Sequence, residues 1–411
     1  MIDYRRIGAL LAGRREGYCL PQGLYNDVDV FDFDMDAIYG TGWLMAGFTC
    51  ELPTPGSYVS QMFGKWPVLI VRDKQGVIRA FHNSCRHRGS MICKPGSGSA
   101  PRIMCPYHSW TYEHDGKLLA APRMGDDFDK SAHGLRPLRI EFAAGAMFIS
   151  FAENPPPFAD FAEKLEIYLG PQRMDRAKLA FESTISEYAN WKLVMENGRE
   201  CYHCATGHPE LARTFPVTMS KHFDRANDAR AKEFVDTMTA NHLETEAIEG
   251  DWWQLARFGL NRGAETLSMD GHHMVRKLMC EENQGYVGSM RLAIDPHCFL
   301  HATSDHVFMF SAVPVSPTET LVTGKWYVHA DAVEGEDYTV EGLSELWTRT
   351  NLQDKELAEN NQLGVNSPGY LPGPYSRDAE MLALRFTDWY CNTARAYLAG
   401  RTAMDAPIHV D

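Results

Sequence analysis

The chain has 411 residues, more than one minimal domain needs. Its 44% hydrophobic and 23% charged residues are ordinary globular composition and exclude a disordered polypeptide. A formal net charge of -14 disfavours nucleic acid and anionic membranes as partners. The longest largely apolar run, 142–152, is about half the length of a membrane span. Met1-Ile2-Asp3-Tyr4-Arg5-Arg6 leads into a mixed segment with no apolar signal region, so a cytoplasmic protein is expected. Ten cysteines over this length form no disulfide framework, and reduced thiols are expected.

Residues 1–38 read as a helix followed by a loop, the loop marked by Leu20-Pro21-Gln22-Gly23. From 42 to 151 the pattern is strand. Trp66-Pro67-Val68-Leu69-Ile70-Val71-Arg72 is an apolar run with its proline near the start, where a strand tolerates it. Asp73-Lys74-Gln75-Gly76 and His114-Asp115-Gly116-Lys117 read as hairpin turns. This is a small all-β domain. Pro155-Pro156-Pro157 marks a boundary, because consecutive prolines continue neither helix nor sheet. Beyond it, 186–206 reads as a helix and 298–302, 307–311 and 321–328 as strands. Long helices are expected over 340–364 and 378–399. The second domain is therefore α+β, a sheet flanked by helices.

Two segments carry chemistry. The first is Cys85-Arg86-His87, seventeen residues, then Cys105-Pro106-Tyr107-His108. Zinc in a Cys₂His₂ finger pairs Cys with Cys on a hairpin and His with His on a helix. Here each cluster mixes one Cys with one His in a turn between strands. That suits a [2Fe–2S] centre with two thiolates on one iron and two imidazoles on the other. The second segment is Glu200-Cys201-Tyr202-His203-Cys204-Ala205-Thr206-Gly207-His208-Pro209. On a helix Glu200 and His203 share a face. Gly207 and Pro209 bracket His208, and a residue before Pro leaves the α region, so His208 can fold back beside His203. Two such imidazoles suit a mononuclear iron with a carboxylate as third ligand. Cys201 and Cys204 lack the βαβ context of a redox motif and read as small residues packing around the histidines.

The carboxylate comes from the 340–364 helix. Leu343, Trp347, Thr350, Asp354 and Leu357 fall on one stripe at helical period. A carboxylate on such a face needs a metal or a partner such as Arg385. Asp378 and Glu380 are the fallback ligands.

The two Cys-His clusters resemble the Rieske motif. The respiratory kind carries an extra Cys in each loop, where this chain has Ser90 and Tyr107, so the likeness is to the low-potential kind of oxygenases and ferredoxins. With both constellations present, nearly the whole chain resembles the catalytic subunits of Rieske non-haem iron oxygenases. Glu200 stands where the family usually has Asp. That change, with Glu-Cys-Tyr-His-Cys-x-x-x-His-Pro and the 368–376 segment, resembles the branch acting on quaternary ammonium compounds. That branch includes the choline, glycine betaine, carnitine and stachydrine (proline betaine) oxygenases, the last resembled most.

The resemblance implies three divisions: an N-terminal segment 1–40 packing on the catalytic domain, a Rieske domain 41–153, and a catalytic domain 154–411 with a central antiparallel sheet. It implies Cys85, His87, Cys105 and His108 on one Rieske cluster, and His203, His208 and Asp354 on one mononuclear Fe(II). O₂ is the co-substrate. The reaction implied is hydroxylation of an N-methyl group, followed by loss of formaldehyde. With no G-x-G-x-x-G after a strand, a separate NAD(P)H-dependent flavin and iron–sulfur reductase is implied. A head-to-tail homotrimer is implied too, with Glu200 bridging one subunit's iron site to the next subunit's cluster. An aromatic-ring hydroxylase is the alternative within enzymes, and a Rieske electron carrier the alternative outside them. A quaternary cation calls for aromatic faces, for which Trp252, Trp253, Tyr202, Phe258, Phe299 and Phe310 are the candidates, and a carboxylate on it for an Arg or Lys.

Overall fold

Ten short strands build the first domain, in a computed structural model that describes residues 2–217, 229–280 and 285–404. They are β1 (Leu44–Phe48), β2 (Ser57–Phe63), β3 (Trp66–Arg72), β4 (Ile78–His82), β5 (Gly96–Ser99), β6 (Ile103–Met104), β7 (Thr111–Tyr112), β8 (Leu118–Ala120), β9 (Arg139–Ala143) and β10 (Ala146–Ser150). They form sheets β4-β3-β2-β5, β6-β7-β8 and β1-β10-β9, with neighbours antiparallel. β3 lies between two neighbours, and its Val68, Leu69, Ile70 and Val71 are all buried. The β3–β4 turn is held by the Asp73 carboxylate, which accepts from the backbone N–H of Gln75 and Val77, both at 2.9 Å. Gly76 closes it at φ +83°, a left-handed conformation that favours glycine.

The second domain is built on a seven-stranded antiparallel sheet, in the order β11-β17-β16-β15-β14-β13-β12. The strands are β11 (Ala177–Glu187), β12 (Ile248–Glu249), β13 (Trp253–Phe258), β14 (Ser289–Ile294), β15 (Cys298–Ala302), β16 (Val307–Ser316) and β17 (Glu319–His329). Its helices, numbered along the whole chain, are α4 (Ala159–Leu169), α5 (Trp191–Asn197), α6 (Cys204–Gly207), α7 (Leu211–Thr214), α8 (Ala229–Ala240), α9 (Val340–Val365) and α10 (Met381–Met404). Helix α9 starts at a Thr339 cap, whose hydroxyl accepts from Gly342 N–H at 3.1 Å. Trp347 of α9 stacks on Phe308 and His301 of the sheet, ring centroids 4.5 and 5.2 Å away. That contact fixes the helix over the sheet face that carries the site.

Two elements differ from the sequence reading. The N-terminal segment holds α1 (Tyr4–Ala12), α2 (Gly23–Asn26) and α3 (Val28–Asp34), followed by a widened helical turn, Met35–Tyr39, where a loop was expected. The Asp27 carboxylate caps α3, and Val30, Phe31 and Phe33 then bury. Buried Asp34 binds Lys192, accepts from Trp191 Nε1 at 3.1 Å and from the Tyr390 hydroxyl at 2.8 Å, tying α3 to α5 and α10.

The second difference lies at 186–206. Strand β11 runs to Glu187, Asn190 caps α5, and the helix ends before Gly198. Glu200 and His203 therefore sit on turns between α5 and α6, not on one continuous helix.

Candidate active site

The two Rieske loops leave strands of neighbouring sheets. Cys85 follows β4, and Cys105 lies between β6 and β7. Each loop closes on its own cysteine. Gly89 N–H donates to Cys85 O at 2.9 Å and Ser109 N–H to Cys105 O at 3.0 Å. The Tyr112 hydroxyl lies 3.3 Å from Cys85 Sγ and accepts from Arg86 N–H at 3.0 Å. The two sulfurs are buried and the two imidazoles adjoin, ring centroids 4.7 Å apart. His87 stacks on Trp110, and its buried Nδ1 has no hydrogen-bond partner. Two buried thiols on one side and an orphaned imidazole nitrogen on the other fit a [2Fe–2S] cluster with mixed ligands. Burial raises the Cys85 thiol pKa, and a coordinating metal reverses that by binding the thiolate.

The second group lies in the catalytic domain. His203 Nε2, His208 Nε2 and Asp354 Oδ1 form a triangle with sides of 3.0, 3.2 and 2.9 Å. Donors bound cis to a first-row metal at about 2.1 Å stand about 3.0 Å apart. Asp354 Oδ1 makes no well-formed hydrogen bond despite those two nitrogens, as a metal ligand would not. Each imidazole is oriented through its other nitrogen. His203 Nδ1 donates to Glu200 Oε1 at 2.5 Å, and His208 Nδ1 to Gln353 Oε1 at 2.9 Å. Gln353 is held in turn by Glu210 Oε2 at 3.1 Å. Burial alone would lower the His203 pKa; the Asp354 and Glu200 carboxylates outweigh it and hold it up at about 9. Two carboxylates beside one imidazole suit a bound metal cation.

Glu200 reaches His203 through a turn: its carboxylate accepts the backbone N–H of Tyr202 and of His203. His208 leaves α6 with φ -130° and ψ 71°, outside the helical region, as Pro209 dictates. Cys201 and Cys204 are joined as a disulfide, which corrects both the packing role given them and the expectation of reduced thiols. The turn through Tyr202 and His203 brings their Cα atoms to 4.8 Å. The other eight cysteines are free. Asp354 is flanked by buried Thr350 and Ala358, but Leu357, assigned to the same stripe, is exposed. The fallback Asp378 is exposed and lines the cavity, while Glu380 accepts from Ser376 N–H; neither joins the triangle. Arg385 pairs with Asp295 and Glu249, not with Asp354.

A cavity opens on the triangle, walled by Phe215, Phe299, His301, Trp347 and two arginines, Arg199 and Arg291. Burial holds the His301 imidazole well below its usual pKa, so it stands neutral among the aromatic rings. Of the six aromatic candidates only Phe299 faces this cavity as a ring wall. Phe310 stacks behind it, centroids 4.4 Å apart. Phe258 packs behind Phe215, Trp252 and Trp253 against Phe161, and Tyr202 is 69% exposed. Trp347 entered the sequence reading only as a member of the Asp354 stripe; Phe215, His301 and Arg291 escaped it. The period-two alternation of β14 and β15, with Arg291 beside His301, was the signal that could have found the last of these.

An all-β domain with a mixed Cys and His cluster site, followed by a sheet-and-helix domain with a two-histidine, one-carboxylate triangle, defines an oxygenase that uses two kinds of iron centre. The family models agree: residues 42–136 match the Rieske [2Fe-2S] domain and 174–395 the ring hydroxylating alpha subunit catalytic domain. The chain belongs to the Rieske non-haem iron oxygenase catalytic subunits. It is 46% identical over 394 residues to the glycine betaine monooxygenase oxygenase subunit of Pseudomonas aeruginosa, covering 93% of this chain and 90% of the relative. It is 42% identical to that of Chromohalobacter salexigens, over 98% of this chain and 91% of the relative. The crystal structure of the quaternary ammonium Rieske monooxygenase CntA has the same fold, with TM-score 0.70 and 23% identity, covering 94% of this chain and 97% of that one.

Proposed function

We propose that this chain is the oxygenase subunit of a monooxygenase that hydroxylates an N-methyl group of a small quaternary ammonium compound. The observation that carries this reading is the wall of Phe215, Phe299 and Trp347 around neutral His301 beside the iron triangle. Aromatic faces attract a cation that has no hydrogen-bond donor. The relatives' names, glycine betaine monooxygenase, support the same choice. An aromatic-ring substrate would use such rings as well, edge to face, but it carries no full positive charge for their negative faces to attract.

When bound, the cluster supplies electrons singly and the mononuclear iron at His203, His208 and Asp354 activates O₂. The protein holds the His203 and His208 tautomers through Glu200 and Gln353. Its aromatic walls exclude water and turn a methyl toward the open side of the triangle. One oxygen atom enters the methyl C–H bond; the other leaves as water, taking two electrons and two protons. The N-hydroxymethyl product then loses its O–H proton, the C–N bond breaks with its electron pair passing to nitrogen, and a tertiary amine and formaldehyde result.

The same reading includes a separate NAD(P)H-dependent reductase and a cytoplasmic site of action; among the described residues, no helix is long and apolar enough to cross a membrane. It also includes a head-to-tail homotrimer. His108 is exposed, beside Tyr107 at 56% and Met104 at 58% exposure, and apolar Tyr202, Leu352 and Leu357 are exposed around the other iron site. Among the described residues neither His87 nor His108 is bonded to the triangle or to Glu200 within the chain. Glu200 would bridge to the partner subunit's His108.

A formaldehyde-release screen tests the reading. It compares glycine betaine, proline betaine, carnitine and choline, with a surrogate reductase. Release from at least one is expected; release from none, with ring hydroxylation of an aromatic acid, would transfer the chain to the rival class.

A further inference from the structure

Arg291 is a buried cation in the substrate cavity for which the oxygen chemistry has no use. It stands on β14 directly opposite His301 of β15, so both side chains share the sheet face that floors the cavity. Its exposure is only 8%. Among the described residues its guanidinium donates one hydrogen bond, Nη2 to the Gly198 carbonyl at 3.1 Å, and joins no ion pair. The acid nearby, Asp295, is occupied by Arg199 at 2.7 Å and Arg385 at 2.9 Å. Arg199 lines the same cavity and has two further nitrogens, Nε and Nη1, buried without a partner.

A buried guanidinium that lacks an anion is costly, and the usual remedy is a carboxylate. Burial, with Arg199 beside it, brings Arg291 down to about 9, which leaves it charged at neutral pH. The guanidinium carbon is 5.9 Å from the Phe299 ring centroid. A ligand whose quaternary nitrogen and anion stand a single carbon apart can therefore rest on Phe299 and Arg291 at once.

We propose that Arg291 anchors the substrate carboxylate and selects betaines in which a single carbon separates carboxylate from quaternary nitrogen. This rests on the quaternary-ammonium reading above. It makes Arg291 a specificity-determining residue, distinct from the groups that hold iron.

The test uses the reconstituted holoenzyme and three probes: glycine betaine, its amide, and γ-butyrobetaine. The amide keeps the cation and the size and loses the anion. For the native protein, KM for the amide should exceed that for glycine betaine by about 100-fold, with γ-butyrobetaine at least about 10-fold worse. Arg291→Gln should raise KM for glycine betaine by far more than KM for the amide, so that the preference for acid over amide collapses, while Arg291→Lys recovers part of that preference. Equal KM for acid and amide in the native protein would overturn the anchor, and that comparison stands even if a variant fails to fold. So would an Arg291→Gln enzyme with lower kcat for both and an unchanged preference, which is what a merely structural contact with Gly198 gives. Equal KM for γ-butyrobetaine would overturn the single-carbon spacing. Formaldehyde from none of the three would overturn the underlying activity instead.

Discussion

Glu200 accepts the Nδ1–H of His203 at 2.5 Å, and so decides that Nε2 is the nitrogen turned toward Asp354 and His208. The same carboxylate also takes two backbone N–H groups of its own turn, which leaves the loop little freedom. Glu200→Gln keeps the size and removes the charge. Both metal sites should still load. Transfer from the reduced cluster to the mononuclear iron should slow by at least about 10-fold, since this ligand's support is lost. Single-turnover oxidation of the reduced cluster, with substrate and O₂, measures it; an unchanged rate with full iron removes the bridging role.

Asp354→Ala should empty the mononuclear site and leave the cluster. Metal analysis should fall from the cluster's two irons plus one to the cluster's two alone. Full iron in this variant would move the third ligand to Asp378 or Glu380.

Cys85→Ser should abolish the Rieske absorption and electron resonance signals, because the thiolate it removes is one of two on the same iron. A normal [2Fe–2S] spectrum in this variant would contradict the ligand set.

Buried Glu196 gives a pH signature remote from the irons. Burial raises its pKa from 4.5 to about 7, although the Tyr25 and Tyr375 hydroxyls donate to it. The folded state thus holds this proton more tightly than the unfolded state. Its contribution to stability is complete below pH 4.5 and is lost as pH rises through about 7. Glu196→Gln keeps an acceptor for the tyrosines and removes the titration. The variant should gain on the native protein between those limits, by on the order of 3 kcal/mol. Denaturant midpoints at pH 5 and pH 8 check this; a constant difference would mean that Glu196 does not titrate there.

How much of this was legible in the sequence depends on how locally each feature is encoded. The Rieske loops were legible because each brings a Cys and a His within three residues of each other, on turns between strands. Glu200, His203 and His208 were legible as a cluster, though for a different reason than helical spacing: the helix stops at Gly198, and a carboxylate-capped turn does the work. Asp354 stood out as one acid among apolar neighbours, although Leu357 leaves the stripe for solvent. The aromatic wall was not legible. Phe299, His301 and Trp347 meet only because β15 lies under α9, and nothing in their spacing reveals which neighbours tertiary packing will choose. Arg291 stayed hidden although Gly288 and Asp295-Pro296 bracket 289–294 as a strand, because a charge in such a run reads as its solvent side. Residues 28–38 fell within the stretch read as loop, although Asp27 supplies a cap and Val30, Phe31 and Phe33 form the buried face of a short helix.

The proposed activity spends O₂ on an N-methyl group at the His203, His208 and Asp354 site. The most direct measurement follows O₂ uptake and trapped formaldehyde together, with glycine betaine, for the native protein and for His208→Ala. One formaldehyde per O₂ is expected from the native protein, and none from a His208→Ala protein that keeps its Rieske spectrum. Formaldehyde at the native rate from His208→Ala, or O₂ uptake by the native protein with no formaldehyde, would contradict it.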